Sequence, residues 1–399
     1  MNPGNKNILA VNGGSSSLKF SLYGFGQDNN LTRWLSGKID RIGLKDTELT
    51  YKDTRNHKEE RLPVKAGSLA EAADFLLQWL GRQEGGAALL AVGHRVVHGL
   101  QHRKASFVDD SLLDELRQIS NYDPDHLPGE IELIQLFRRQ TPDVPQIACF
   151  DTAFHATLPR LAKLLPIPRK YDAAGIQRYG FHGLSYSYVL EELTRVAGPV
   201  AAHGAVVMAH LGNGASLAAV KDGISIDTTM GFTPTGGIVM GTRPGDLDPG
   251  VAWYLMNKEQ LTPEQFSHMM NKESGLLGIS ETSPDMQDLL AKESSDPRAA
   301  EAVGLFCYQI KKTIGAFTAV LGGLDTIVFT GGIGERSAVV RSRICAGLEY
   351  LGIVIDQRAN ERNKLCISVE GARVGVYAIP TDEEQIIART VSHLLEEQK

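Results

Sequence analysis

Apolar residues along this chain fall in short runs separated by clusters of glycine and small polar residues. Ile8–Val11 and Leu18–Tyr23 flank one such cluster, Asn12 to Ser17, and two short runs across a Gly/Ser turn predict a β-hairpin. Ser68, with Glu71 three residues on, reads as a capping box opening an amphipathic helix through Trp79. "LLAVGHRVVHG" predicts a buried strand entering a polar turn, "GEIELIQLFRRQ" has helical spacing, and "PQIACFDTAFH" predicts a strand ending in a polar loop. Near Ala205 the pattern restarts. "AVVMAHLGNGASLAAVKDGISID" gives strand, Gly/Asn turn, strand, an Asp222-Gly223 hairpin turn and another strand. The echo of V-N-G-G-S-S-S-L in L-G-N-G-A-S-L, at the same point of the pattern, implies two similar halves. Asp296-Pro297 starts a long helix that stops at Gly322-Gly323. "DTIVFTGGIGERS" reads as strand, Gly turn and helix; "VGVYAIPTDEEQIIARTVSHLL" adds a strand, a capped start at Thr381 with Glu384, and a terminal helix. This order fits a repeated α/β domain with a mixed sheet and a cleft separating the copies.

Composition narrows the class. With 399 residues, 42% hydrophobic and 22% charged, the chain is long enough for two or three cores. Its 41 glycines suit an α/β protein with many backbone turns. A net charge of −6 gives no general pull toward nucleic acid or anionic lipid, so an anionic ligand must meet local positive groups. The cysteines Cys149, Cys307, Cys345 and Cys366 form no C-x-x-C pair, which speaks against a zinc cluster or a disulfide framework. The start lacks a signal-peptide pattern and no apolar run reaches the length of a membrane span. A soluble cytoplasmic protein with no nucleic-acid or membrane partner is the expectation.

Several polar residues follow predicted strands, where ligands bind in open α/β sheets. Asp151 follows "IACF", His94 and Arg95 end another strand, His210 and Asn213 follow "AVVMA", and Glu383 follows "VYAIP". Each has an ordinary reading. The Asp suits a helix N-cap, a lone His a structural hydrogen bond, and Glu383 the first turn of the last helix. Taken with three Gly-rich turns, "NGGSSS", "LGNGAS" and "TGGIGE", they suit a polyphosphate cradled by backbone amides. No G-x-x-x-x-G-K-[ST] loop and no protein-kinase H-R-D or D-F-G element is present. "MGFTPTGGIVMGTRPGDLDPG" is a long loop carrying Arg243, either a surface excursion or a functional loop. Arg243, Arg95, Asp151 and Glu383 would suit phosphoryl transfer, with Mg²⁺ held by one or two carboxylates.

These stretches, with "GHRVVHG", "FDTAFHATLP", "RYGFHGLS", "MGTRPGDLDP", "SGLLGIS" and "IPTDEE", resemble the acetate kinase family, within the sugar kinase, Hsp70 and actin superfamily. The resemblance implies two similar actin-like, ribonuclease H-like domains, each a mixed five-stranded sheet flanked by helices. One spans residues 1–151 with the C-terminal helix 383–399, the other 152–382, with the active site in the cleft. It places Asn12, Ser15, Ser17 and Lys19 near phosphates and metal, with Asn12 and Glu383 at the metal. Arg95 and Arg243 bracket the carboxylate and the moving phosphoryl group, Asp151 helps place Mg²⁺ (or Mn²⁺), and His182 stabilises the phosphoryl group in flight. Val97, Phe181 and Pro234 wall the acyl methyl. His210, Leu211, Gly212, Asn213 and Gly214 form the phosphate turn, and Asp285, Met286, Gln287, Gly332, Ile333 and Gly334 lie at the adenosine of ATP or ADP. The implied reaction is direct in-line transfer from ATP to acetate, giving acetyl phosphate and ADP, by a homodimer packed through the second domain.

Departures from the family pattern are Asp125 for an apolar residue, Thr235-Gly236-Gly237 before the Arg243 loop, Gln287 for Arg, Arg336 for Asn, and Asp382 before Glu383. The alternatives are a kinase preferring propionate or another short acid, one using pyrophosphate, and a non-catalytic nucleotide clamp. The charges agree with transfer. A carboxylate and ATP repel, so uniting them needs two Arg forks and a cation. An acetate-like acid is already ionised at pH 7, so no general base is needed and Asp151 is free to position metal.

Overall fold

The computed structural model describes residues 6–14, 16–26, 30–83, 85 and 88–398, and Ser15 therefore lies outside the described residues. The chain divides into two compact units, Met1–Ala153 with Asp382–Lys399, and Phe154–Thr381.

The first unit is built on β1 (Asn7–Gly13), β2 (Leu18–Phe25), β3 (Leu31–Asp40), β4 (Glu48–Asp53), β5 (Lys58–Pro63), β6 (Leu89–Val96), β7 (Ser106–Phe107) and β8 (Gln146–Phe150). They form one sheet in the order β5-β4-β3-β2-β1-β6-β8-β7. β1, β6 and β8 run parallel, while β2 to β5 form an antiparallel meander and β7 pairs antiparallel with β8. Every residue of β1 and β8 is buried, because helices cover the centre of the sheet. Leu69–Gly81 and Leu127–Gln140 pack Leu76, Trp79, Leu133 and Phe137 against Leu9, Val11, Phe20 and Leu35 in one core. The terminal helix Glu383–Glu397 lies along β1 and β6. Gly93 of β6 is obligatory there: a Cβ would fall 2.5 Å from Ile387 and 2.7 Å from Val391 of that helix.

The second unit has β9 (Ala205–Leu211), β10 (Ala215–Lys221), β11 (Ile224–Thr228), β12 (Thr326–Thr330) and β13 (Gly375–Ala378), in the order β11-β10-β9-β12-β13. β9, β12 and β13 are parallel and β10 and β11 antiparallel. This repeats the order and sense of β3-β2-β1-β6-β8, so the internal echo in the sequence is an echo of topology. The helix Pro297–Leu321 runs from an Asp296 N-cap to a left-handed Gly322, at the expected boundaries. Asp222 and Gly223 turn β10 into β11 with φ of 54° and 76°, the type I′ geometry that this dipeptide favours.

Three expectations change. The first sheet has eight strands where five were expected, because β4, β5 and β7 extend the five-strand set at both edges. The terminal helix is capped by Asp382, whose side chain accepts the Gln385 N–H, and not by Thr381. In the first capping box Ser68 accepts from Glu71 as expected, but the Glu71 carboxylate returns to the N–H of Gly67, one residue upstream of the N-cap. Among the described residues no helix is long and apolar enough to cross a membrane.

Candidate active site

In the first unit, the ends of β1, β6 and β8 bring Asn12, Arg95 and Asp151 together with Glu383. Arg95 is the next-to-last residue of β6 and Asp151 follows β8 directly. Asp151 does not cap a helix. It takes Arg95 as a fork: Nη2 lies 2.6 Å from Oδ2, and Nε lies 3.2 and 3.1 Å from the two carboxylate oxygens. Nε of Arg95 is also 3.8 Å from Oε2 of Glu383, and Nη1 donates to Oδ1 of Asn12 at 3.4 Å. Asn12 in turn donates to Glu383 at 2.8 Å and to Glu384 at 3.4 Å. Burial and the neighbouring Glu383 push the Asp151 carboxyl up, against the pull of Arg95, and the surrounding carboxylates hold Arg95 charged well above its ordinary value. Burial likewise pushes Glu384 up, opposed by Lys19, which is exposed on β2.

In the second unit, His182 is the N-cap of the helix Gly183–Ala197 and takes a left-handed backbone at φ 60°. A non-glycine residue there costs about 1–3 kcal/mol and is held only by its surroundings. His155 supplies part of the hold, with Nε2 3.0 Å from the Phe181 carbonyl and Nδ1 2.8 Å from Ser225. Gly180 makes room for that ring, since a Cβ would fall 2.6 Å from it. His182 Nδ1 is 2.9 Å from Ser216 Oγ, which also meets Tyr186 OH at 2.5 Å. His210, near the end of β9, stacks on His182 with ring centres 4.2 Å apart and has Nδ1 2.8 Å from Ser185 Oγ.

Arg243 joins this group. The loop between β11 and the helix Pro249–Lys258 holds no regular element, yet Met230, Ile238, Val239 and Met240 are buried, so it is packed and not a surface excursion. Arg243 Nη1 donates to the Pro234 carbonyl at 2.7 Å. A Cβ on Gly214 would lie 2.9 Å from Arg243 Nη2 and 3.2 Å from His182 Nε2. The absence of a side chain at Gly214 therefore lets a guanidinium and an imidazole approach the same turn. Asn213 fixes that turn to the loop, its carbonyl accepting the Gly241 N–H at 3.0 Å. Gly212 closes it, its N–H donating to the Gly214 carbonyl at 3.0 Å.

The remaining candidates are placed less tellingly. Gly332, Ile333 and Gly334 form the first turns of the helix Gly331–Arg336 after β12. Asp285 is the N-cap of Met286–Lys292, accepting the N–H groups of Gln287 and Asp288. Val97, Phe181, Leu211 and Met286 are buried side chains, whereas Asp125 and Gln287 are exposed.

Sequence reading missed Glu130, which is buried behind Val97 and accepts its N–H at 3.0 Å. Burial pushes this carboxyl up to about 8, opposed by Arg95 and by the Val97 N–H. Its position was readable: Glu130, Ile134 and Phe137 follow the i, i+4, i+7 spacing of the helix's buried stripe. It also missed Asp123, buried and 2.9 Å from His126 Nδ1, for which no local pattern exists.

For a divalent ion, the first unit offers oxygen donors from Asp151, Glu383 and the Asn12 side chain, the hard set that Mg²⁺ prefers. Among the described residues no group of three or more His, Cys, Asp or Glu forms a metal cage.

Relatives match this chain along nearly its whole length. A propionate kinase of Citrobacter rodentium is 44% identical over 393 residues, covering 97% of this chain and 96% of its own. An acetate kinase of Rickettsia akari is 40% identical over 393 residues, covering 97% of this chain and 99% of its own. The crystal structure of a propionate kinase from Francisella tularensis shares the fold with a TM-score of 0.89 at 34% identity, covering 96% of this chain and 98% of that one. The family model of the acetokinases matches residues 7–389, and the chain belongs to the acetokinase family.

Proposed function

We propose that this protein reversibly transfers the γ-phosphoryl group of ATP to acetate, giving acetyl phosphate and ADP. The observation that carries the reading is the approach of Arg243 and His182 to the Gly214 turn, beside a packed loop that fixes the guanidinium through Pro234. Such an arrangement presents donors to equatorial phosphoryl oxygens, where charge gathers during in-line transfer.

The acid needs no general base, because it is ionised at neutral pH and attacks as a carboxylate. Arg95 provides the positive charge that brings this anion toward a second anion, and Asp151 holds the guanidinium in orientation through its forked contact. His182 donates from Nε2, its ring fixed at Nδ1 by Ser216, and His210 stacks behind it. The backbone amides of Asn213 and Gly214 and of the Gly332 to Gly334 turn serve the phosphates and the nucleotide. Mg²⁺, held by Asp151, Glu383 and Asn12, would neutralise phosphate charge. A homodimer formed through the second unit belongs to this reading, and exposed Trp253 and Tyr254 on one helix support it.

A propionate preference is the second reading, favoured by the 44% identity to a propionate kinase. One methylene in an apolar pocket is worth about 1–3 kcal/mol, so both acids should turn over. The test is acyl phosphate formation, trapped as hydroxamate, with ATP and Mg²⁺ against acetate, propionate and butyrate, and with pyrophosphate in place of ATP. The acid with the highest kcat/KM names the substrate. No acyl phosphate from any acid, with a folded protein that binds ADP, rejects the kinase reading in favour of a nucleotide clamp.

A further inference from the structure

Glu335 makes a connection that the transfer chemistry above does not use. It lies in the helix Gly331–Arg336, directly after β12. The N-cap of that helix is Thr330, but its side chain makes no capping bond, and its buried hydroxyl has no hydrogen-bond partner among the described residues. Glu335 supplies the missing acceptor: its Oε1 takes the N–H of Gly331 at 3.1 Å. The same oxygen takes the N–H of Thr381 at 3.0 Å. Thr381 lies just beyond β13, the parallel neighbour of β12, and stands two residues ahead of Glu383 in the chain.

One carboxylate oxygen thus fixes two backbone points, Gly331 and Thr381. Gly331 starts the glycine turn and has no freedom to move: its φ is 75°, and a Cβ would fall 2.7 Å from the Leu211 carbonyl oxygen. The far end of the turn is held independently, because buried Arg341 donates from Nη1 to the Gly334 carbonyl at 2.8 Å. Gly332 is left open, with nothing within 4 Å of a Cβ placed on it. The second point, Thr381, closes the segment that leaves β13.

We propose that Glu335 is a positioning residue that ties the Gly331–Gly334 turn to the backbone that leaves β13 at Thr381, so that nucleotide affinity depends on one carboxylate. The inference rests on the kinase reading for the duty of the turn. The bond pattern itself requires an acceptor atom at that place and not a negative charge, which separates Gln from Ala as replacements.

The experiment compares Glu335→Ala, Glu335→Gln and Glu335→Asp in the full-length protein. Calorimetry gives the Kd of ADP in the presence of Mg²⁺, with no acid present, and steady-state assays give KM for ATP. Loss of two backbone hydrogen bonds in Glu335→Ala should raise Kd and KM about tenfold. Glu335→Gln keeps the acceptor and should stay within about threefold of the parent on both. Glu335→Asp draws the acceptor back by one methylene and should behave as Ala, which carries the test if the Ala variant does not fold. Parental Kd and KM in Glu335→Ala, or a Gln variant as impaired as Ala, would each overturn the proposal. Absence of turnover in the parent protein would instead remove the kinase reading, while the ADP titrations still decide whether Glu335 organises the turn.

Discussion

Replacing Glu130 by Gln should make the protein less sensitive to rising pH, and the size of the effect follows from where Glu130 lies. Burial is the largest influence on this carboxyl and raises it; Arg95 and the Val97 N–H lower it, and Asp123 and Asp151 raise it further. The result is a group held at about 8 against an ordinary 4.5. In the unfolded chain it ionises near 4.5, so from there to about pH 8 the folded protein holds a proton that the unfolded chain has lost. Stability therefore falls as pH rises through that window, and the full penalty is in place above pH 8. At 1.36 kcal/mol per unit the penalty is about 5 kcal/mol, an upper value because local relaxation and water entry lower it.

Gln cannot ionise, and its carbonyl oxygen can accept the Val97 N–H. Its amide N–H groups then take the place of Oε1, an atom with no hydrogen-bond partner among the described residues, at a pH-independent cost of about 1–3 kcal/mol. Glu130→Gln should accordingly be the less stable form at pH 5 and the more stable form at pH 8. Denaturant unfolding at pH 5, 6, 7 and 8 measures this. Buried Trp34 and Trp79 report on the first unit through their fluorescence, whereas Trp253, in the second, is exposed. His94, His98 and His155 are all pushed by burial to about 4, which gives stability that rises with pH across the acid range. That opposite slope is common to both proteins and cancels in the difference. A difference independent of pH would refute the assignment of Glu130 as a neutral buried acid.

Other perturbations test the candidate site directly. Arg243→Ala should lower kcat/KM for the acid at least a hundredfold, the scale of losing a donor to transition-state charge, with circular dichroism unchanged; Arg243→Lys should recover little, because a point charge cannot reproduce the fork. Asp151→Asn should raise the Mg²⁺ concentration needed for half-maximal rate and lower kcat, since it weakens both the oxygen donor set and the orientation of Arg95; unchanged Mg²⁺ dependence would place the ion elsewhere. Gly331→Ala should lower thermal stability by more than about 2 kcal/mol, because a side chain there meets backbone at a positive φ. Gly332→Ala should leave the thermal midpoint unchanged, there being nothing within 4 Å of its Cβ.

The elements most legible in the sequence were those whose signals are local. The Asp296 cap and Gly322 stop of the long helix, the Asp222-Gly223 turn and the strand ends all depend on residues within a few positions of one another. The edge strand β5 was not legible, because "KEERLP" is exposed along almost its whole length and burial imposes no alternation there; "ELTYKD" of β4 does alternate, with Leu49, Tyr51 and Asp53 buried, and was passed over. Arg95, Asp151 and Glu383 could be singled out as polar residues at strand ends, but their union through a guanidinium fork is a tertiary fact. Likewise, the N–H of Thr381 meets Glu335, 46 residues away in sequence, and the cap of the terminal helix is Asp382. Glu130 shows the reverse case. Its helical phase announced burial, and attention to charged residues at strand ends passed it over.

The shared topology of the two sheets gives this distribution a physical sense. In the first unit, the ends of equivalent strands carry full charges: Arg95 on β6, Asp151 after β8, and Glu383 where the terminal helix begins. In the second, they carry an imidazole and glycines: His210 on β9, Gly214 ahead of β10, and Gly331 after β12. Each choice fits its surroundings. A buried guanidinium is tolerable in the first unit only because carboxylates compensate it, and those carboxylates are what a divalent ion requires. The glycines of the second unit permit approach to backbone N–H groups, which hold phosphate oxygens without adding net charge. With a net charge of −6, the chain gains local positive potential from a few fixed guanidiniums and oriented amides. An arrangement of this kind should lose rate, more than nucleotide affinity, when Arg95 is removed, because the amides of the second unit still hold ADP while the acid loses its counter-charge. An Arg95→Ala protein with parental turnover and weakened ADP binding would invert that division and refute it.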